Sequence, residues 1–258
     1  NCIFENNQAA YEGGAIYIWG KMLELNKEEH IVESKMETIT ITNCQFIGNK
    51  GQEGQVLYIE NEFIGDTKLE VTGCTFTNNG EDDTKYMIIN YCRKINFENN
   101  VVEYVDASKS SGAIKNACES NASTISIIGS QFINCKSKNY VVYVVTGQVD
   151  VDNISITFSD SNNAGGGINL GNKGFNLFNA QITRTGNFSG AFFSQNSNIV
   201  DPVGIVNCTF DNCKIMRKIR CFGFTIYTES FTFTNNTIRN IVEQGNDGYI
   251  GVIDIKSA

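Results

Sequence analysis

The 258-residue chain contains no run of 18 or more apolar residues, so no helix of it is expected to span a bilayer. It has no excess of basic residues: 20 Lys and Arg stand against 28 Asp and Glu, a formal net charge of −8, which removes the electrostatic basis for nucleic-acid binding. It has one His and no Cys-x-x-Cys pair, so no zinc site is expected, because such a site needs clustered nitrogen and sulfur ligands; nothing in the sequence calls for another metal or a cofactor. Apolar residues at helical spacing are nearly missing, the segment from Arg239 to Glu243 being too short to count. Short alternating apolar stretches, repeated along the chain, take their place.

Nine apolar anchors, Phe4, Phe46, Phe76, Phe97, Phe132, Phe158, Ile182, Phe210 and Phe233, are each followed three positions later by a small polar or sulfur-bearing residue. Those residues are Asn7, Asn49, Asn79, Asn100, Cys135, Ser161, Thr185, Cys213 and Asn236. A period of roughly 21 to 42 residues marks a solenoid, in which each unit buries its apolar face only by stacking on the next. Two residues before the anchors stand small or apolar side chains, among them Cys2, Cys44, Cys74, Ser130 and Cys208. Five and seven residues before several anchors come pairs such as Ile41 and Ile39, Val71 and Leu69, and Leu177 and Phe175. The parity changes between these positions, so a bend of about two residues separates two short strands that face one core.

A third apolar run follows most anchors, as in Ala15-Ile16-Tyr17-Ile18 and Val56-Leu57-Tyr58-Ile59, several of them introduced by glycine. The expected fold is all-β, a right-handed parallel β-helix of about nine coils with three short strands per coil. The polar column has a physical reason. An Asn turned inward at a bend can bond backbone groups of its own turn and of the next coil, and Cys, Ser or Thr fit the same slot.

Phe-x-x-Asn recurs at Phe4, Phe46, Phe76, Phe97 and Phe233, and Gly13-Gly14-Ala15-Ile16 has variants at Ser111 to Ile114 and Ser189 to Phe192. This paired signature resembles the polymorphic outer-membrane-protein repeats of bacterial autotransporter adhesins and the similar β-helix repeats of large protist surface proteins. The resemblance implies a right-handed coil and an adhesive or structural role at a cell surface.

Uninterrupted repeats predict one elongated domain over residues 1–258, with a surface insertion at 21–37. Asn1-Cys2-Ile3-Phe4 already matches Asn43-Cys44-Gln45-Phe46, so no leader peptide is expected in these residues. Open terminal coils expose strand edges, which predicts continuation in a longer chain or self-association through the terminal coils into a filament. Seven of nine Cys fall in repeat columns and read as buried free thiols, Cys118 and Cys221 lying outside them. Five Asn-x-Ser/Thr sequons occur, a number that the abundance of Asn, Ser and Thr alone would give. Asn187, Asn207, Asn235 and Asn121 are the candidate glycosylation sites, while Asn153 is expected to face inward.

No catalytic residue is expected. The rival reading is a polysaccharide lyase or glycoside hydrolase, which would need carboxylates gathered on neighbouring coils. Glu81-Asp82-Asp83, Asp150 and Asp152 could supply them, and Arg217, Lys218 and Arg220 a base, but no spacing demands it. Lone His30 falls in the insertion. Tyr17, Trp19, Tyr58, Tyr143 and Phe193 could offer platforms for glycans. The sequence therefore predicts a non-catalytic, extracellular or cell-surface structural or adhesive module.

Overall fold

The computed structural model describes residues 1–20, 38–61, 67–79, 86–107, 112–118, 123–137, 141–144, 147–157, 160–161, 168–170, 174–184, 187–188, 193–195, 203–216, 221–227, 230–244 and 251–256. Among them there is no helix, and their strands pair in parallel, rung on rung. The fold is a parallel β-solenoid. The insertion at 21–37 lies outside the described residues.

Three sheets run along the stack. The first has nine described strands, from Ile3–Glu5 to Thr237–Arg239, the second eight, from Thr38–Thr42 to Phe231–Thr234, and the third nine, from Ile16–Gly20 to Gly251–Lys256. A coil visits the second, first and third sheets in turn, as in Thr38–Thr42, Gln45–Ile47 and Leu57–Asn61, before Lys68–Thr72 begins the next rung. Three strands per coil do not complete the description. A short fourth strand follows the first sheet in later coils, in the sets Asp106–Ala107, Lys136–Ser137, Asp160–Ser161 and Asn187–Phe188, Lys214–Met216, Val242–Gln244.

Register shows what each apolar position does. In the second sheet Ile41, Val71, Phe97, Ile127, Val151, Leu177, Ile205 and Phe233 stand in one file, and Ile39, Leu69, Ile95, Ile125, Val149, Phe175, Val203 and Phe231 in another. Alternation puts both files on the same face, and most of their members are buried. In the first sheet the file is Phe4, Phe46, Phe76, Val102, Phe132, Ile156, Ile182, Phe210 and Ile238.

Three expected anchors are thereby corrected. Phe97 and Phe233 belong to the second sheet, five residues before the true first-sheet positions Val102 and Ile238. Ile156, not Phe158, follows Phe132 in the first-sheet file; Phe158 itself lies outside the described residues. The error has a cause: both bends obey the same rule, so an apolar residue followed by Asn does not say which bend it precedes.

The rings nevertheless form one column. Phe4 stacks on Phe46 with centroids 5.0 Å apart, and Phe46 on Phe76 at 4.9 Å. Phe97 then stacks on Phe76 at 6.1 Å and on Phe132 at 6.2 Å. Where the first sheet offers only Val102, the ring comes from the neighbouring strand of the same coil. The file thus crosses from sheet to sheet and stays closely packed, which is worth more than burial alone for aromatic neighbours.

Candidate functional site

The polar column begins as a problem of backbone bookkeeping. At each bend the chain leaves one sheet for another, and buried N–H and C=O groups still need partners. The side chain one rung later supplies them. Asn49 Nδ2 donates to the Phe4 carbonyl at 2.9 Å while its Oδ1 accepts the Asn7 N–H at 3.1 Å. Asn79 repeats this on Phe46 O and Asn49 N, both at 2.9 Å.

The same pattern operates at the other bend. Asn100 donates to Val71 O and accepts from Cys74 N, and Asn236 donates to Ile205 O and accepts from Cys208 N. Asn100 and Asn236 therefore bond at the second bend, between the second and first sheets. At the first bend their rungs carry Val105 and Ile241.

Cysteine and serine perform the donor part. Cys74 Sγ reaches Ile41 O, Cys135 Sγ reaches Val102 O, Cys208 Sγ reaches Leu177 O and Cys213 Sγ reaches Ile182 O, at 3.4 to 3.6 Å. Ser130 Oγ donates to Phe97 O and accepts from Asn100 N. In every case the third residue after a core position bonds the carbonyl of the equivalent core position one rung earlier. Ser161 lies in the short strand Asp160–Ser161, and Thr185 lies outside the described residues.

The residue before each ladder position is left-handed. Asn6, Asn43, Asn78, Asn99, Asn134, Asn153, Asn179, Asn207, Asn212, Asn235 and Asn240 all have φ between 51° and 57°, a conformation Asn tolerates better than most residues. Gly48, at φ 61°, fills the same place above Asn6, and a Cβ there would stand 2.5 Å from Asn6 Oδ1. This column faces water, so Asn207 and Asn235 are exposed sequons; Asn207 also donates to Asn179 Oδ1 at 3.3 Å. Asn153 occupies the same outer column and is exposed, contrary to the inward placement expected for it. Asn187 lies in the strand Asn187–Phe188, and Asn121 lies outside the described residues.

The thiols follow the packing. Cys44, Cys74, Cys92 and Cys208 are buried free thiols and Cys2 an exposed one, and Cys118, Cys135 and Cys213 are buried as well. Cys118, expected outside any column, stands two residues after Asn116 as Cys92 does after Asn90, so the two share a position at the exit of the third sheet. Burial, with a smaller contribution from Cys118, pushes the Cys92 thiol up to about 12. Burial raises Cys74 and Cys208 as well.

Outside the barrel, the third sheet carries an aromatic and acidic strip on its early rungs. Tyr17 and Tyr58 stack at 5.7 Å, and Tyr91 tilts against Tyr58 at 6.4 Å. Tyr17 is 45% and Trp19 54% exposed, and Tyr11 lies nearby in sequence at 74%. Tyr17 donates its hydroxyl to Glu60 at 2.6 Å. Loss of solvent, then Glu60 and Glu53, raises the Glu12 carboxyl above its usual range, and burial raises the Tyr58 phenol, with Tyr91, Glu12 and Glu60 adding to it. Of the other expected platforms, Tyr143 pairs in register with Lys115 and Asn169, and Phe193 with Ile168, on later rungs of the third sheet.

A polar cleft of about 560 Å³ lies along the later rungs, lined by Thr157, Thr183, Arg184, Asp211, Asn212 and Asn240. Asp211 accepts Asn240 Nδ2 at 2.8 Å and pairs with Arg239 at 2.9 Å, contacts that hold its carboxyl below the usual range. A carboxylate held ionised in this way is a poor general acid. Asp150 and Asp152 accept amides of the next rung, from Asn176 and Asn179, each at 2.8 Å. Glu81 to Asp83, Arg217, Lys218, Arg220 and His30 lie outside the described residues. Among the described residues no three His, Cys, Asp or Glu side chains gather as a metal set.

No curated protein and no solved structure gives a significant match to the chain. Residues 1–18 match the Chlamydia polymorphic membrane protein repeat, over the segment that holds Phe4, Asn7 and Gly13 to Ile16. At Gly13, φ is 62° and a Cβ would stand 2.5 Å from the Ile16 carbonyl oxygen, which explains the glycine of that signature. Residues 1–18 are thus similar to a polymorphic membrane protein repeat, and the described residues form a parallel β-solenoid.

Proposed function

We propose that this chain is a non-catalytic structural and adhesive module displayed at a cell surface, with the exposed Tyr17 and Trp19 of the third sheet as its contact face. The observation carrying the reading is the division of labour in the cross-section. The polar side chains at the two bends are committed to carbonyls of the preceding rung, while Tyr17 and Trp19 are left exposed on the third sheet. The repeat at residues 1–18 supports a surface location. The exposed Tyr17 and Trp19 rings, with the Glu60 carboxylate beside Tyr17, suit ligands with an apolar face and donors, such as glycans.

The strand Ile3–Glu5 forms one edge of the first sheet, with Ile3 67% exposed and Phe4 half-buried. A further rung, from the same chain or another copy, would cover it, and sedimentation as a concentration-independent monomer argues against the second copy. In a glycosylating secretory host, Asn207 and Asn235 are the proposed acceptors, checked by mass spectrometry of the peptides.

The test of adhesion is binding of the purified chain to intact cells and to a glycan array. Binding lost in the Tyr17→Ala, Trp19→Ala double variant with an unchanged unfolding midpoint supports the proposal; undiminished binding refutes the contact face. The runner-up, polysaccharide cleavage, is favoured only by the polar cleft. Release of unsaturated or reducing ends from uronate polymers, abolished by Asp211→Asn, would replace the proposal with it.

A further inference from the structure

One inward file of the third sheet changes chemistry partway. Ile18 and Ile59 are followed, rung by rung, by Asn90 and Asn116. Both amides are buried at 0% and 1% exposure, among side chains that are otherwise apolar. Asn90 Nδ2 donates to Lys115 O at 3.2 Å, and Asn116 Oδ1 accepts the Cys118 N–H at 2.7 Å. Those two bonds fix which end of each amide is oxygen and which is nitrogen. Asn90 Oδ1 and Asn116 Nδ2 remain, and neither has a partner among the described residues.

Both residues line one internal cavity of about 10 Å³, closed by Leu69, Val71, Ile95, Phe97 and Ile127 among others. An unpartnered buried polar atom costs about 1–3 kcal/mol. The two atoms are complementary in kind, one acceptor and one donor. A cation would be repelled by the Asn116 amino group, an anion by Asn90 Oδ1, and an apolar guest would leave both unsatisfied. A neutral species of a single heavy atom that donates and accepts satisfies both, and a cavity of roughly 10–15 Å³ holds one water.

We propose that a single ordered water occupies this cavity, donating to Asn90 Oδ1 and accepting from Asn116 Nδ2, and so links two adjacent rungs through the core. The experiment has two arms. In a crystal structure of the whole chain at a resolution that shows solvent, one isolated peak is expected within hydrogen-bond distance, about 2.7–3.2 Å, of both atoms. Empty density, or the two amides bonded directly to each other, overturns the proposal. In urea unfolding, Asn90→Leu and Asn116→Leu should each reduce the folding equilibrium constant about tenfold or more, by orphaning the water and the remaining amide. The double variant should cost distinctly less than the product of the two, because it removes the water and both amide atoms that face it together, leaving only the Cys118 N–H already lost in Asn116→Leu. Multiplicative losses in the cycle count against the shared water, and the crystallographic arm decides the matter if a variant does not fold.

Discussion

Asn79 offers the sharpest perturbation of the ladder. Its Oδ1 accepts the Asn49 backbone N–H at 2.9 Å and the Asn49 side-chain N–H at 3.1 Å, and its Nδ2 donates to Phe46 O at 2.9 Å. One rung later the same corner holds buried Val105, so an apolar β-branched residue is accommodated there. Asn79→Val therefore deletes hydrogen bonds with little change of volume. It strands the buried Asn49 N–H and removes the side-chain bond to the Phe46 carbonyl, which keeps its place in the parallel ladder, giving an expected loss of about 1–3 kcal/mol. Asn79→Cys should recover part of this, because Cys135 donates to Val102 O at the same corner and Cys74 accepts Cys44 N–H at 3.4 Å at the other. The assay is the urea midpoint and slope of wild type and both variants. A loss below about 0.5 kcal/mol for Asn79→Val, the range of ordinary surface changes, would refute the reasoning, as would Asn79→Cys faring no better than Val.

Phe97→Ala removes the ring that bridges Phe76 and Phe132 and should cost about 3–5 kcal/mol in the same assay, well above Val102→Ala, although Val102 holds the first-sheet position. Alkylation of the native protein at pH 8 should label Cys2 and leave Cys92 untouched until unfolding, since the thiolate is the reactive form and the Cys92 thiol is pushed up to about 12. Because the folded state keeps that proton, stability should also fall as pH rises from the ordinary thiol value of 9.0 toward 12. Asp211 has the opposite sign: its depressed carboxyl adds stability above the ordinary value of 3.8 that is lost as pH falls through the lowered one, and Arg239→Ala should flatten that acid limb of the thermal midpoint.

The class of fold was legible because a two-residue bend preserves which face of the chain is apolar, so Ile39 and Ile41 before Phe46, and Leu69 and Val71 before Phe76, announce two strands on one core. Which Phe belongs to which sheet was not legible. Phe97-x-x-Asn100 and Phe76-x-x-Asn79 are the same device at different corners, and only the partner carbonyl, Val71 or Phe46, distinguishes them. The outward Asn column escaped notice for a related reason. Adjacent Asn78 and Asn79 look alike in sequence, yet one supplies a left-handed φ and the other a ladder bond. Asn90 and Asn116 carried no signal at all, since nothing in a polar residue inside a strand declares that the opposite rung holds its complement. The aromatic strip was half visible: Tyr17 and Tyr58 occupy matching places in third-sheet runs, but only the packing shows that Tyr17 is exposed and Tyr58 buried.

The central claim is that each corner side chain bonds the carbonyl of the rung before it, with the rungs in the stated register. Cysteine pairs introduced on neighbouring first-sheet strands test it directly, by mass-spectrometric mapping of oxidised products. Thr77→Cys should cross-link to Glu103→Cys, its register partner, in preference to Glu98→Cys, which pairs instead with Thr72. Preferential bonding of Thr77→Cys to Glu98→Cys would put Phe97 opposite Phe76 and contradict the two-corner account.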